Sequence, residues 1–133
     1  MPKPSKGLVI SLIKKFNLED KIILPGFIKD EELQDHYNLA DVFIMPSKKE
    51  GFGLVLIEAA ASGLPVIAGN GDGSAEALQN GLLGKLVSPD SVEEIKNAIL
   101  ETFSQIRESM QEKTFELYNF TTYQKRFLEI IYG

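Results

Sequence analysis

The chain has 133 residues, 44% of them hydrophobic and 25% charged, which suits one globular domain able to bury roughly two-thirds of its unfolded surface. A formal charge of −5 with scattered lysines argues against a nucleic-acid or anionic-membrane binder, since such partners are held by dense Lys and Arg clusters. With no cysteine, disulfide staples and thiolate metal sites are excluded, and the single histidine leaves little for a zinc or Ser/His site.

No apolar run approaches the ~20 residues of a membrane helix, and polar Pro2-Lys3-Pro4-Ser5-Lys6 follows Met1. Neither a spanning segment nor a signal peptide is expected, and the cytoplasm is the expected compartment. Leu8, Val9, Leu12, Ile13 and Phe16 recur at helical spacing, closed by Asn17 and Asp20 before KIIL at 21–24, a short apolar run bounded by Pro25-Gly26. That predicts a helix feeding a strand. Asp30, Glu31 and Glu32 mark the start of a second helix with Leu33 and Tyr37 on its apolar face, and DVFIMP at 41–46 is the next strand. A third helix runs from Gly53 to Ser62 and stops at Gly63, and LPVIAG at 64–69 is the third strand. Ser74 to Asn80 reads as a short helix, Gly81 and Gly84 bracket a turn, and KLV at 85–87 is a fourth strand. Ser91 with Glu94 forms a capping box ahead of Val92, Ile95, Ile99, Phe103 and Ile106. From Glu108 the chain reads as helical, broken near Asn119, with Tyr123, Phe127 and Ile130 or Ile131 as an inner stripe; Tyr118 and Phe120 join these aromatics in anchoring the C-terminal helices.

Strands joined through helices run parallel, so the expected fold is α/β, a parallel sheet of about four strands flanked by helices, in one domain over residues 1–133. Ligands on such sheets sit at the carboxyl ends of the strands. Three loops reach that rim, PGFIKD, PSKKEGFG and AGNGDGS, and all carry glycine. One glycine loop is an ordinary tight turn; three on one rim point to a binding cleft.

Within the rim, Gly51-Phe52-Gly53-Leu54 offers the unpaired amides of a helix N-terminus, with no side chains at Gly51 and Gly53 to hold an anion away. Glu58 follows Leu54 by one turn on the same face, and helical side chains lean toward the N-terminus, so its carboxylate can reach back to the mouth. Two acceptor oxygens beside apolar Ile57 and Ala59 suit a vicinal diol such as that of a ribose. Glu50, across the loop, could take hydroxyls of a second sugar. A phosphate with a polyol on each side is the outline of a nucleotide-sugar. The plainer alternative is a solvated helical Glu58 and a loop carboxylate at Glu50. Lys48 and Lys49 read as solvated loop lysines, His36 as a surface imidazole, and Gly71-Asp72-Gly73 as a turn, because Asp72 has no acidic or histidine partner at ligand spacing.

Pro46-Ser47, Glu50-Gly51-Phe52-Gly53, Glu58 and Gly63-Leu64-Pro65-Val66 stand in the order and spacing of the donor-binding core of retaining glycosyltransferases of the GT-B fold, family 4 type, and the stretch resembles that core. Leu18 to Phe27, Ala40-Asp41-Val42-Phe43 and Asn80-Gly81-Leu82-Leu83 resemble its flanks, so the likeness covers nearly the whole chain. Asp72 replaces one of the family's paired glycines, whereas Glu76 matches its downstream acid. The resemblance implies a Rossmann-like sheet forming the C-terminal half of a GT-B fold. It implies that Glu50 is the catalytic-site carboxylate binding donor-sugar hydroxyls, that Gly51, Phe52, Gly53 and Leu54 present backbone to the sugar and diphosphate, that Glu58 holds the ribose, and that Phe27 and Ile28 lie beside the base.

Such enzymes take a UDP- or GDP-sugar type of donor and need no metal or other cofactor, the diphosphate being neutralised by a helix dipole and basic side chains. The resemblance further implies that the family's two leading strands, with their Arg and Lys, and its acceptor domain precede the region seen here. The chain is then expected to be a truncated donor-binding half, weak in nucleotide-sugar affinity and inactive alone. The strand at 21–24 would pair beside 41–46 or with a second copy, because an exposed parallel edge invites self-association. Two other classes stay open: a nonenzymatic nucleotide-binding or assembly module, and a flavodoxin-like domain holding a phosphate ligand, for which Glu58 is incidental.

Overall fold

A computed structural model describes residues 5–48, 53–103 and 107–119, with residues 72 and 107–111 as backbone only. The chain divides into two compact units, Met1–Asp30 and Glu31–Gly133.

The first unit is built on α1 (Lys6–Lys15), whose N-terminus Ser5 caps by accepting from the Leu8 amide at 3.2 Å. Asn17 takes a left-handed conformation (φ 54°), and the Asn17 and Leu18 amides return to the Lys14 and Ile13 carbonyls, which stops the helix. Of the apolar stripe only Ile13 is buried. The run 21–24 is not a strand. Its first amides, Lys21 and Ile22, turn back onto the Leu18 carbonyl, and Ile23 is 86% exposed. An apolar tetrapeptide becomes a strand only where a neighbour completes its ladder, and no ladder among the described residues includes this one. The fourth strand expected at 21–24 is therefore not formed among the described residues.

The second unit holds a three-stranded parallel sheet, ordered β1 (Phe43–Met45), β2 (Val66–Gly69), β3 (Lys85–Val87), so the α/β class stands with three strands in place of about four. Ile44 pairs with Ile67, and Ala68 with Leu86. The helices are α2 (Asp30–Leu39), α3 (Leu54–Ala61), α4 (Asp72–Ala77), α5 (Val92–Thr102) and α6 (Arg107–Tyr118). Side chains alternate across the pleat. Val66 and Ala68 of β2 pack with Leu56, Ala60, Leu64 and Leu78 on one face, and Ile67 packs with Ala98, Ile95 and Ile99 of α5 on the other. Covered on both sides, β2 is buried at every position, which is why its sequence is an unbroken apolar run.

The helix ends explain the loops. Gly63 (φ 83°) lets its own amide and that of Leu64 close on Ala60 and Ala59, and Gln79 (φ 53°) with Asn80 does the same for α4 through Glu76 and Ala75. The short helix thus spans 72–77, with 78–80 as its stop. On α5 the buried face is Ile95, Ala98, Ile99 and Thr102, while Val92 and Phe103 are exposed. Tyr118 anchors α6, its hydroxyl donating to the Ala77 carbonyl at 2.7 Å and accepting from Gln79 Nε2 at 2.9 Å. Ile106, Phe120, Tyr123, Phe127, Ile130 and Ile131 lie outside the described residues.

Candidate functional site

The carboxyl ends of the three strands bring three loops together through backbone contact and one ion pair. Gly69 ends β2 against the β1 loop: a Cβ there would sit 2.1 Å from the Ser47 carbonyl oxygen, and one at Gly71 would sit 2.9 Å from that of Lys48. Only glycine permits main chains this close. Asn70 donates its amide to the Val87 carbonyl at 2.9 Å, tying the second loop to the third. Lys48 Nζ then reaches Asp90 Oδ1 at 2.6 Å, an exposed pair joining the first loop to the third. Lys48 is thus a solvated loop lysine, as expected, that also carries a carboxylate partner. Two of the three expected rim loops, those after β1 and β2, meet as expected, and the Ser88–Asp90 turn after β3 joins them. PGFIKD belongs mostly to the first unit.

Gly53 sits at the N-cap of α3 in a left-handed conformation (φ 73°, ψ 53°), and no side chain caps the helix there. Its carbonyl accepts from the Leu56 amide at 2.9 Å, so the helix starts on a residue with no side chain at its mouth. Leu54 is exposed. Glu50, Gly51 and Phe52, which carry the sugar-side half of the expected site, lie outside the described residues, as does Lys49. Phe27, 91% exposed, and the half-buried Ile28 lie in the first unit.

Glu58 occupies the fifth position of α3 with an exposed side chain. Its Oε2 accepts from the Tyr37 hydroxyl at 3.2 Å. Tyr37, buried on α2, is fixed by an edge-on contact with Phe43, ring centroids 6.0 Å apart at 63°. Burial, reinforced by the charge of Glu58 and by this hydrogen bond, pushes the Tyr37 phenol from 10.0 to about 12. A second tie lies one turn along the same seam, where Ser62 Oγ donates to the Glu58 carbonyl at 2.9 Å and accepts from Gln34 Nε2 at 3.1 Å. The sequence pattern of α2 marks Tyr37 only as part of its apolar face. The signal that could have found its polar role is the residue type, since a buried tyrosine needs a partner for its hydroxyl.

Other candidates behave as surface groups. His36 Nδ1 lies 2.9 Å from the Glu32 carbonyl of its own helix, and Glu76 is exposed. Among the described residues no three His, Asp or Glu side chains form a metal-holding group. A groove of about 470 Å³ runs between β3 and α5, on the sheet face away from α3, lined by Lys85, Leu86, Glu94, Ala98 and Glu101 and crossed by the Lys85–Glu101 ion pair. None of the expected site residues lines it.

Residues 3–116 match the family described as glycosyl transferases group 1. The chain belongs to that family. Among curated members, a GDP-mannose-dependent alpha-(1-6)-phosphatidylinositol monomannoside mannosyltransferase of Mycobacterium tuberculosis is 39% identical over 62% of this chain and 23% of its own. A probable sucrose-phosphate synthase 3 of Arabidopsis thaliana is 42% identical over 73% of this chain and 10% of its own. A sucrose synthase of Melioribacter roseus is 32% identical over 95% of this chain and 18% of its own. The chain therefore spans less than a quarter of the length of these glycosyltransferase relatives. Family membership leaves the flavodoxin-like alternative without support. No helix among the described residues is long and apolar enough to cross a membrane.

Proposed function

We propose that this chain is the donor-binding part of a retaining hexosyltransferase, which transfers a sugar from a nucleotide-sugar to a glycan, lipid or other acceptor. The observation that carries the reading is the carboxylate of Glu58, exposed one turn below an uncapped helix mouth opened by left-handed Gly53. The mouth offers amides and a partial positive charge to a diphosphate. Glu58 offers acceptor oxygens to the two hydroxyls of a ribose. In this reading Gly51, Phe52, Gly53 and Leu54 face the diphosphate and sugar, Glu50 takes the donor-sugar hydroxyls at the catalytic centre, and Phe27 and Ile28 flank the base.

No resident metal is part of the proposal, so binding should be indifferent to EDTA. Transfer is assigned to the chain acting with an acceptor-binding domain, in the cytoplasm, where the same residues bind donor without turnover on their own. A purely nucleotide-binding or assembly role is the second reading, marked by binding that never leads to transfer when such a domain is supplied.

Calorimetric titration with UDP and GDP provides the test. Glu58→Ala should weaken the better-bound nucleotide by at least about tenfold, the loss of charge-assisted hydrogen bonds, with the circular dichroism spectrum unchanged. A folded Glu58→Ala protein that binds as tightly as wild type would remove the basis for the assignment.

A further inference from the structure

A glutamate on a helix surface has three side-chain torsions and, left alone, samples many directions. Glu58 is not left alone. Its Oε2 receives the Tyr37 hydroxyl at 3.2 Å, and the Tyr37 ring is in turn wedged by burial (7% exposed) and by its edge-on contact with Phe43 at the start of β1. The donor is therefore fixed to the sheet while the acceptor stands on α3. Gln34 and Ser62 hold the same two helices together one turn along, so the spacing across the Tyr37–Glu58 contact is maintained on one side by an independent tie. An ionised carboxylate only accepts hydrogen bonds and has about four lone-pair sites. With one occupied by Tyr37, Oε1 and the second lone pair of Oε2 remain for two more hydroxyl donors, the number that a vicinal diol brings.

We infer that Tyr37 is a positioning residue for ribose recognition: its hydroxyl locks the Glu58 carboxylate in the orientation that receives the 2′- and 3′-hydroxyls of the donor nucleotide. The inference rests on the reading of Glu58 as the ribose-binding group and deepens it. Tyr37 does not touch the ligand; it removes the disorder of the group that does, which lowers the ordering cost of binding. Its phenol keeps its proton at neutral pH, as the upward displacement from 10.0 requires, so it remains a donor throughout the physiological range.

The test compares GDP and UDP with their 2′-deoxy counterparts by ligand-observed NMR on the wild-type chain, Tyr37→Phe and Glu58→Ala. Wild type should prefer the ribose form by about tenfold, the worth of one hydrogen bond to a charged group. Tyr37→Phe keeps the ring against Phe43 and should cut that preference to about threefold, whereas Glu58→Ala should erase it. A merely structural tyrosine would lower affinity for both forms alike and leave the ratio untouched. If Glu58→Ala erases the preference and a folded Tyr37→Phe protein retains it in full, the positioning role is overturned while the ribose role of Glu58 stands. If wild type shows no ribose preference, or Glu58→Ala keeps it, both fall. Should Tyr37→Phe fail to fold, wild-type protein labelled at the tyrosine Cζ carbon decides instead. Saturating ribonucleotide should shift the Tyr37 resonance more than the 2′-deoxy form does, and equal shifts overturn the inference.

Discussion

The Tyr37 proton is a local property with a measurable consequence for the whole chain. Its folded pKa of about 12 lies above the unfolded 10.0, so the folded state retains a proton that the unfolded chain has already released. The contribution of this group is intact below pH 10 and is lost as pH climbs toward 12. Urea unfolding followed across that window should show stability falling with pH, and the Tyr37→Phe protein should show a shallower fall. An equal slope in the two proteins would mean that other groups carry the effect. Gly69 gives the sharpest steric prediction at this scale. Its missing Cβ would fall 2.1 Å from the Ser47 carbonyl oxygen, a backbone atom that cannot swing aside. Gly69→Ala should therefore cost about 3 kcal/mol, the upper range of overpacking, in denaturant unfolding; a cost below about 1 kcal/mol would show that the two loops can part.

At the scale of the elements, α5 is set by a cap that differs from the expected box. Ser91 Oγ accepts from the Glu94 amide at 3.2 Å as anticipated, but the Glu94 carboxylate passes over Ser91 to the Ser88 amide at 2.7 Å. The Ser91 amide is already held by the Ser88 carbonyl at 3.1 Å, so Glu94 reaches back to the Ser88 amide instead and staples the turn after β3. Ser91→Ala should lower stability by about 1 kcal/mol, read as a shift in denaturant midpoint at unchanged slope. The three paired strands and the helix stop at Gly63 were legible because glycine, capping residues and apolar runs act locally. On α5 the expected stripe holds at Ile95 and Ile99, whereas Val92, the first residue of the helix, and Phe103, its C-cap, are exposed. The segment 21–24 has the right composition and no partner, and partner supply is invisible in a local pattern. At the candidate site, Glu58 stands out in the sequence as a charge within an apolar helix, whereas the hydroxyl that holds it comes from a residue 21 positions earlier.

Across the whole second unit the two rims of the sheet are unlike. β3 carries Lys85, paired with Glu101 across the groove beside α5, and a charged edge resists further pairing. β1 has a neighbour on one side only among the described residues and presents partly exposed Ile44. Self-association through β1 is accordingly proposed, and sedimentation velocity should show a dimer that grows with concentration and disappears in Ile44→Lys. A wild-type protein that stays monomeric throughout would dispose of it.

The abutment of Gly69 and Gly71 on Ser47 and Lys48 has a consequence for how this architecture can be altered. Where the two segments rest on each other's main chain they cannot be lengthened independently: one residue inserted between Met45 and Lys48, or between Gly69 and Gly71, would unseat both. Redesign for a new ligand would have to proceed by exchanging residues along the walls, leaving the spacing across Ser47–Lys48 and Gly69–Gly71 as it is.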